Sequence, residues 1–309
     1  MLNLVLLIVS LVIVIKSADF AIKYAGNLAG FFRLPKYTVG FVIVAIISVM
    51  PETFIAVNSA LQGVPAFGLG TLFGSNVADL TLVFAIIIFA TAREIKIGSR
   101  ILENNRWFPF LLALPILIGF DGHYSRVEGL ILIIAGALFF VWTLKKSRKI
   151  SSQPEMSGNH FFNNFFRLIF SMLILLISSY LTVRYGVAFA ESIKISPVLV
   201  GMLVVGLGTT LPELFFSLRA VKQNGASLAL GDVLGTVISD ATIAVGVMAV
   251  IQPFDFPVQI VSITAAFMFL ASILLLAMMK SGRVLTKHEG LILFLFYIVF
   301  VLTEYLFSR

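Results

Sequence analysis

The chain has 309 residues, 60% of them hydrophobic and only 12% charged, and no cysteine; its mean hydropathy is +1.06. A soluble domain carries about twice that charged fraction, and a chain without cysteine has no disulfide or thiol chemistry. Three histidines, His123, His160 and His288, at expected loops or helix ends argue against a His-based metal centre, and the net charge of +7 comes with no nucleic-acid motif; in a membrane protein such a charge reflects basic cytoplasmic loops.

In chain order, long apolar runs alternate with short polar breaks, the pattern of an all-α membrane protein. Ten transmembrane helices are expected, at roughly Leu2–Gly26, Thr38–Leu61, Gly68–Thr91, Trp107–Phe120, Val127–Thr143, Phe165–Ala188, Pro197–Val221, Leu228–Val250, Val258–Met279 and Gly290–Phe307. No basic stretch precedes the first, which reads as a membrane helix and not a cleaved leader. Helices 2 and 7 each contain a proline. The one linker of any length is basic and then polar. It divides the chain into a first five-helix repeat (1–144), a cytoplasmic linker (145–160) and a second five-helix repeat (161–309). Most Lys and Arg fall on the side reached after the odd-numbered helices, including Arg33, Lys36, Arg93, Arg100 and Lys145 to Lys149; Arg126, Lys194 and Arg309 fall on the other. This bias predicts cytoplasmic odd-numbered loops and both termini outside.

The halves carry the same pattern. Ser48-Val49-Met50-Pro51-Glu52 followed by Gly70 to Asp79 matches Thr209-Thr210-Leu211-Pro212-Glu213 followed by Gly231 to Asp240. The offset is constant, since 213 − 52, 240 − 79 and 231 − 70 all equal 161. Five helices per repeat is an odd number, so the second copy crosses the membrane in the reverse sense. Inverted repeats of this kind place a site near the midplane, here at the broken helices 2 and 7.

Glu52, Asp79, Glu213 and Asp240 are expected far from helix ends, where a charge costs about 2.5–3.5 kcal/mol on insertion scales. No Lys or Arg lies near the centres of those segments, so a cation site is the better explanation. Pro51 and Pro212 have no N–H for the carbonyls of Ile47 and Gly208, and a bound cation is one partner for such carbonyls. Ser48, Thr209, Ser75 and Thr236 each stand four residues before a carboxylate, on the same helix face, with Thr210 beside Thr209. Oxygen ligands alone suit hard cations such as Ca2+ and Na+. Gly70, Gly74, Gly231 and Gly235 form small-xxx-small pairs that allow close helix packing. Asp232, near a helix end, reads as solvated, and Lys16 and Asp19 read as a pair within the first helix.

At these residues the chain resembles the cation/Ca2+ antiporter superfamily, in its sodium/calcium exchanger branch. That branch has two α-repeats with G-T-S-L-P-E and G-N-x-x-G-S-N-x-x-[DN] motifs. Gly208 to Glu213 matches the first motif, and Gly231 to Asp240 the second, with Asp232 for Asn and Thr236 for Ser. Ile47-Ser48-Val49-Met50 departs from it, and Asp79 stands where Asn is common. The resemblance implies that a serine at the Val49 position would help bind Na+, and that helices 1 and 6 slide across an eight-helix core.

The reading is therefore a secondary active antiporter, not an enzyme, exchanging Ca2+ for Na+ by alternating access, with competing ions sharing the four carboxylates. The alternatives are an H+/Ca2+ exchanger or a K+-dependent Na+/Ca2+ exchanger, and more distantly a cation channel. No cofactor, nucleic acid or obligatory protein partner is expected. The location expected is the plasma membrane, with the lipid bilayer around the helices.

Overall fold

The computed structural model describes residues 2–29, 41, 45–91, 95–97, 107–146, 158–222 and 226–307. Helices dominate. They are α1 (Leu2–Ala29), α2 (Ala45–Ser48), α3 (Met50–Leu61), α4 (65–90), α5 (Phe108–Ile118), α6 (Arg126–Lys146), α7 (Gly158–Ser192), α8 (197–222), α9 (226–251), α10 (Val258–Lys280) and α11 (Lys287–Phe307). Seven of them, α4 and α6 to α11, are long and apolar enough to cross a membrane; Leu2–Ser17 and Phe108–Asp121 are shorter apolar helices. The expected second span falls partly outside the described residues, which cover Phe41, α2 and α3 of it. Arg33, Lys36, Arg93, Arg100, Arg148, Lys149 and Arg309 also lie outside them.

α7 begins at Gly158 and not at Phe165. A helix satisfies its own backbone whatever its side chains, so polar residues such as Asn163 and Asn164 extend it beyond the apolar run that marks the membrane. α6 and α11 start with capping boxes. Ser125 N donates to Glu128 Oε2 at 2.7 Å and Glu128 N to Ser125 Oγ at 3.3 Å. Thr286 N donates to Glu289 Oε2 at 2.7 Å and Glu289 N to Thr286 Oγ1 at 3.4 Å. Each box ties up N–H groups that a helix start leaves without partners. The boxes are themselves 161 apart, 286 − 125.

The same offset recurs in the backbone. α4 widens to a π-helical stretch at Asp79–Val83 and α9 at Ser239–Ala244, and the two stretches end 161 residues apart, 244 − 83. Two short antiparallel ribbons join distant parts of the chain: β1 (Ile95–Lys96) pairs β4 (Val284–Leu285), and β2 (His123–Tyr124) pairs β3 (Phe254–Asp255). These two-residue strands are invisible to any hydropathy pattern.

Burial is uneven. In α4 and α9, 83% and 78% of the apolar window is inside the protein, against 28% in α11 and 33% in α6 and α7. α4 and α9 therefore form the centre, and the other three turn wide apolar faces outward, as lipid-facing helices must. Glycines allow the central crossings. A methyl group on Gly70 would lie 2.7 Å from the Val198 carbonyl oxygen, and one on Gly74 would lie 2.5 Å from that of Met202. Gly235 meets the Phe41 carbonyl in the same way. The Gly74–Met202 and Gly235–Phe41 contacts map onto each other with the halves exchanged, because 235 − 74 and 202 − 41 both equal 161. Gly231 is buried, and the residue it would meet under that shift lies outside the described residues.

Candidate functional site

The polypeptide breaks where the prolines predict. α2 ends at Ser48 and α3 resumes at Met50, with Val49 at φ −70°, ψ −7° between them. In α8 the helix ends at Thr209 and resumes at Leu211, with Thr210 at φ −69°, ψ −16°. The two breaks are again 161 apart, 210 − 49. Proline one or two residues into a helix costs nothing there, because that N–H has no intrahelical acceptor. The helix therefore restarts at the proline, and the glutamate that follows sits in its first turn.

All four expected carboxylates are buried. Glu52 and Asp79 are 1% exposed, and Glu213 and Asp240 are 0% exposed. They are electrostatic neighbours: Glu52 acts on Asp79, Glu213 and Asp240, and Asp79 acts on Glu213 and Asp240. Among the described residues none of them pairs with Lys, Arg or His. Glu52 Oε2, Asp79 Oδ1, Asp240 Oδ1 and both Glu213 oxygens have no hydrogen-bond partner. Buried polar atoms are nearly always satisfied, so this concentration of orphan oxygens on two helix pairs points to cationic ligands or protons. Among the described residues, no three Asp, Glu or His side chains close tightly enough to hold a metal ion. The carboxylates are neighbours and not a closed cage.

Asp232 corrects the sequence reading. It is fully buried, not solvated. Ser48 Oγ donates to its Oδ1 at 3.0 Å, its Oδ2 has no partner, and it acts electrostatically on Asp79 and Glu213. Distance from the helix end misled, because the start of α9 is covered: Gly235 lies against Phe41 and Ala45. Ser217, four residues after Glu213, and Ser239, beside Asp240, also carry buried hydroxyls without partners.

The hydroxyls serve different carboxylates from those expected. Ser48, four before Glu52, bonds Asp232. Thr209, four before Glu213, donates to the Gly206 carbonyl at 3.1 Å and stands beside Glu52 of the other half. Ser75, four before Asp79, reaches Asp240 Oδ2 at 3.5 Å as well as the Leu72 carbonyl at 3.0 Å. A spacing of four fixes the helix face, and here that face meets the other half of the chain. Thr210 Oγ1 donates to the Gly206 carbonyl at 2.8 Å, and Thr236 Oγ1 has no partner. Ile47 and Gly208 lie in the short helices just before the breaks. Asn76, between Ser75 and Asp79, gives its amide N–H to the Val237 carbonyl at 3.4 Å.

The fold and these buried acids define a polytopic helical membrane protein with a polar centre. A family model described as sodium/calcium exchanger protein matches residues 2–145 and again 163–306. The chain belongs to the sodium/calcium exchanger protein family. It is 26% identical over 287 residues to the inner membrane protein YrbG of Escherichia coli, covering 87% of this chain and 86% of that one. It is 21% identical over 341 residues to the sodium/calcium exchanger MaX1 of Methanosarcina acetivorans, covering 97% of each. Its fold matches the solved sodium-calcium exchanger NCX_Mj with a TM-score of 0.72 at 23% identity, over 96% of this chain and 97% of that one. It also matches the H+/Ca2+ exchanger CAX with a TM-score of 0.83 at 16% identity, over 99% of this chain and 84% of that one.

Proposed function

We propose that the chain is a secondary active antiporter that exchanges Ca2+ for Na+ across the cell membrane by alternating access. Residues 1–144 and 161–309 are its two inverted five-helix repeats, joined by a cytoplasmic linker at 145–160, with both termini outside. The repeated breaks at Val49 and Thr210 and the exchanged contacts of Gly74 and Gly235 support this duplication. Glu52, Asp79, Glu213 and Asp240 bind the transported ions. Ser48, Ser75, Thr209, Thr210 and Thr236 and the carbonyls of Ile47 and Gly208 assist them.

One observation carries the reading: buried carboxylates from both halves have unpartnered oxygens and no basic neighbour among the described residues. Such groups cannot all stay ionised side by side unless positive charge joins them. Ca2+, Na+ and protons compete for the same oxygens, so loading one ion expels another, and this competition couples the fluxes. Because hydroxyls of the first half, Ser48 and Ser75, serve acids of the second, Asp232 and Asp240, a change in packing between the halves alters these pairs together. A specific feature favours a second reading, H+/Ca2+ exchange. Val49 puts an apolar side chain where the other half has Thr210, and Asp79 and Asp232 raise the count of acids that accept protons.

Uptake of radiolabelled Ca2+ into proteoliposomes under imposed Na+, H+ or K+ gradients tests the assignment. An outward Na+ gradient is expected to drive accumulation. Uptake driven by a pH gradient and not by Na+ would replace the Na+ reading with the H+ one.

A further inference from the structure

Glu304 lies apart from these acids, on the last helix. The buried face of α11 runs Gly290, Leu293, Tyr297, Phe300 and Glu304. These three- and four-residue steps trace one helix stripe, so a carboxyl occupies a position that the pattern assigns to an apolar residue. Glu304 is fully buried. Its Oε1 accepts from Thr264 Oγ1 of α10 at 2.6 Å, and its Oε2 has no partner. Thr264 Oγ1 also lies 3.5 Å from Met202 Sδ of α8. Met202 is the residue on which Gly74 packs. One turn further along α10, Met268 Sδ lies 3.4 Å from Asn76 Nδ2. Positions 264 and 268 share a helix face, so one face of α10 touches both Glu304 and Asn76, the latter three residues before Asp79.

The chemistry of the pair selects its ligand. Ca2+ takes about six to eight oxygen ligands, and this position offers one carboxyl and one hydroxyl. A proton needs a single oxygen. The elements packed against α11 are 79–83, 84–90 and α10; they carry Asp79, no ionisable residue, and Lys280, respectively. Asp79 interacts with Glu52 and Asp232. Lys280 is 16 residues beyond Thr264 (280 − 264), about 24 Å along a helix. Lys287, His288 and Glu289 stand at the opposite end of α11 itself. Among the described residues, no side chain on these elements is positioned to balance a charge on Glu304.

We propose that Glu304 and Thr264 form a proton-binding site, separate from the central carboxylates, whose occupancy holds the Met202 segment of α8 against α10. With the proton on Oε2, the carboxyl is neutral and its burial is tolerable. When that O–H bond breaks and the proton passes to water, the anion requires solvation. Parting of Met202 from Thr264 lets water reach it, and this loosens α8 on the stretch leading to the Thr210 break. The site thereby makes the broken helix responsive to pH.

Infrared titration of the purified chain in lipid nanodiscs reads the proton directly and does not depend on which ions are transported. A carbonyl-stretch band of a protonated carboxylic acid is expected in the unmodified protein, absent in Glu304→Gln, and shifted in Thr264→Val, which loses the hydrogen bond. Identical protonated-carboxyl bands in the unmodified protein and Glu304→Gln at every pH would overturn the proposal. The absence of cysteine allows a second measurement, maleimide labelling of Met202→Cys. Relative to a small-thiol control, labelling is expected to accelerate several-fold as pH rises, and to stay slow in the added presence of Glu304→Gln. A relative rate that ignores pH would sink the coupling to α8 even if the proton is found.

Discussion

Glu52 and Glu213 are the same residue in two halves of one chain, yet their surroundings differ. Glu52 has the Thr209 hydroxyl beside it and one orphan oxygen, whereas neither oxygen of Glu213 has a partner. Shifting the Thr209–Glu52 contact by 161 predicts that Ser48 should serve Glu213. Ser48 instead donates to Asp232, whose equivalent in the first half is Thr71 (232 − 161). A single carboxylate in the second half has taken the hydroxyl that symmetry assigned to the glutamate. The same asymmetry appears where Thr210 corresponds to Val49 (210 − 161), and where Glu304 corresponds to Thr143 (304 − 161). The repeat thus supplies the frame and the four paired acids, and the unmatched residues make the two halves differ.

Substitutions can break or sharpen this comparison. The largest effect is expected from Glu52→Gln and Glu213→Gln, each reducing Ca2+ flux in proteoliposomes to background while the protein stays folded. Retained flux in either variant would remove that glutamate from the ion path. Next is Asp232→Thr, which restores the first-half residue and frees Ser48 for Glu213. One carboxylate charge acting on Ca2+ at ~8 Å in a medium of effective dielectric ~20 is worth ~4 kcal/mol, and a neutral hydrogen bond ~1 kcal/mol. Loss of the charge therefore wins, and Ca2+ affinity by calorimetry should fall on the order of a hundredfold. Tighter binding would mean that the freed hydroxyl matters more than the charge. A smaller change is expected for Val49→Thr, where one added oxygen ligand worth ~1 kcal/mol should make Na+ about fivefold more effective at displacing Ca2+. Unchanged Na+ competition would show that position to be silent. The smallest belongs to His123→Val, which copies Val284 of the other ribbon and removes the 2.7 Å contact to Asp255. Exposed pairs of this kind contribute little, so transport and thermal stability should match the parent; a large loss of either would assign the ribbon contact a role in holding the halves together.

The sequence made the repeat legible because proline, glutamate and glycine at a fixed offset survive any uncertainty in helix ends. The breaks at Val49 and Thr210 follow from the prolines alone. What it left hidden is which helix faces which. A hydroxyl four residues before an acid shares its face, but nothing local reveals that Ser75 looks across to Asp240. Asp232 was misjudged by its distance along α9, since depth depends on what covers the helix start. Glu304 was overlooked although it is the one acid on the buried stripe of α11; stripe periodicity was the signal that could have found it.

The two ribbons have a mechanical consequence. β1–β4 and β2–β3 each stitch chain from the first half to chain from the second, and they belong to the loops flanking α4, α5, α6, α9, α10 and α11. Among the described residues, α1 and α7 carry no stitch, and they lie along each other. A force that drags α1 and α7 together past the remaining helices would break neither of these seams, while one that tries to shear the stitched group would have to unpick both. Among the described residues, then, both seams resist shear within the stitched group and neither lies on α1 or α7.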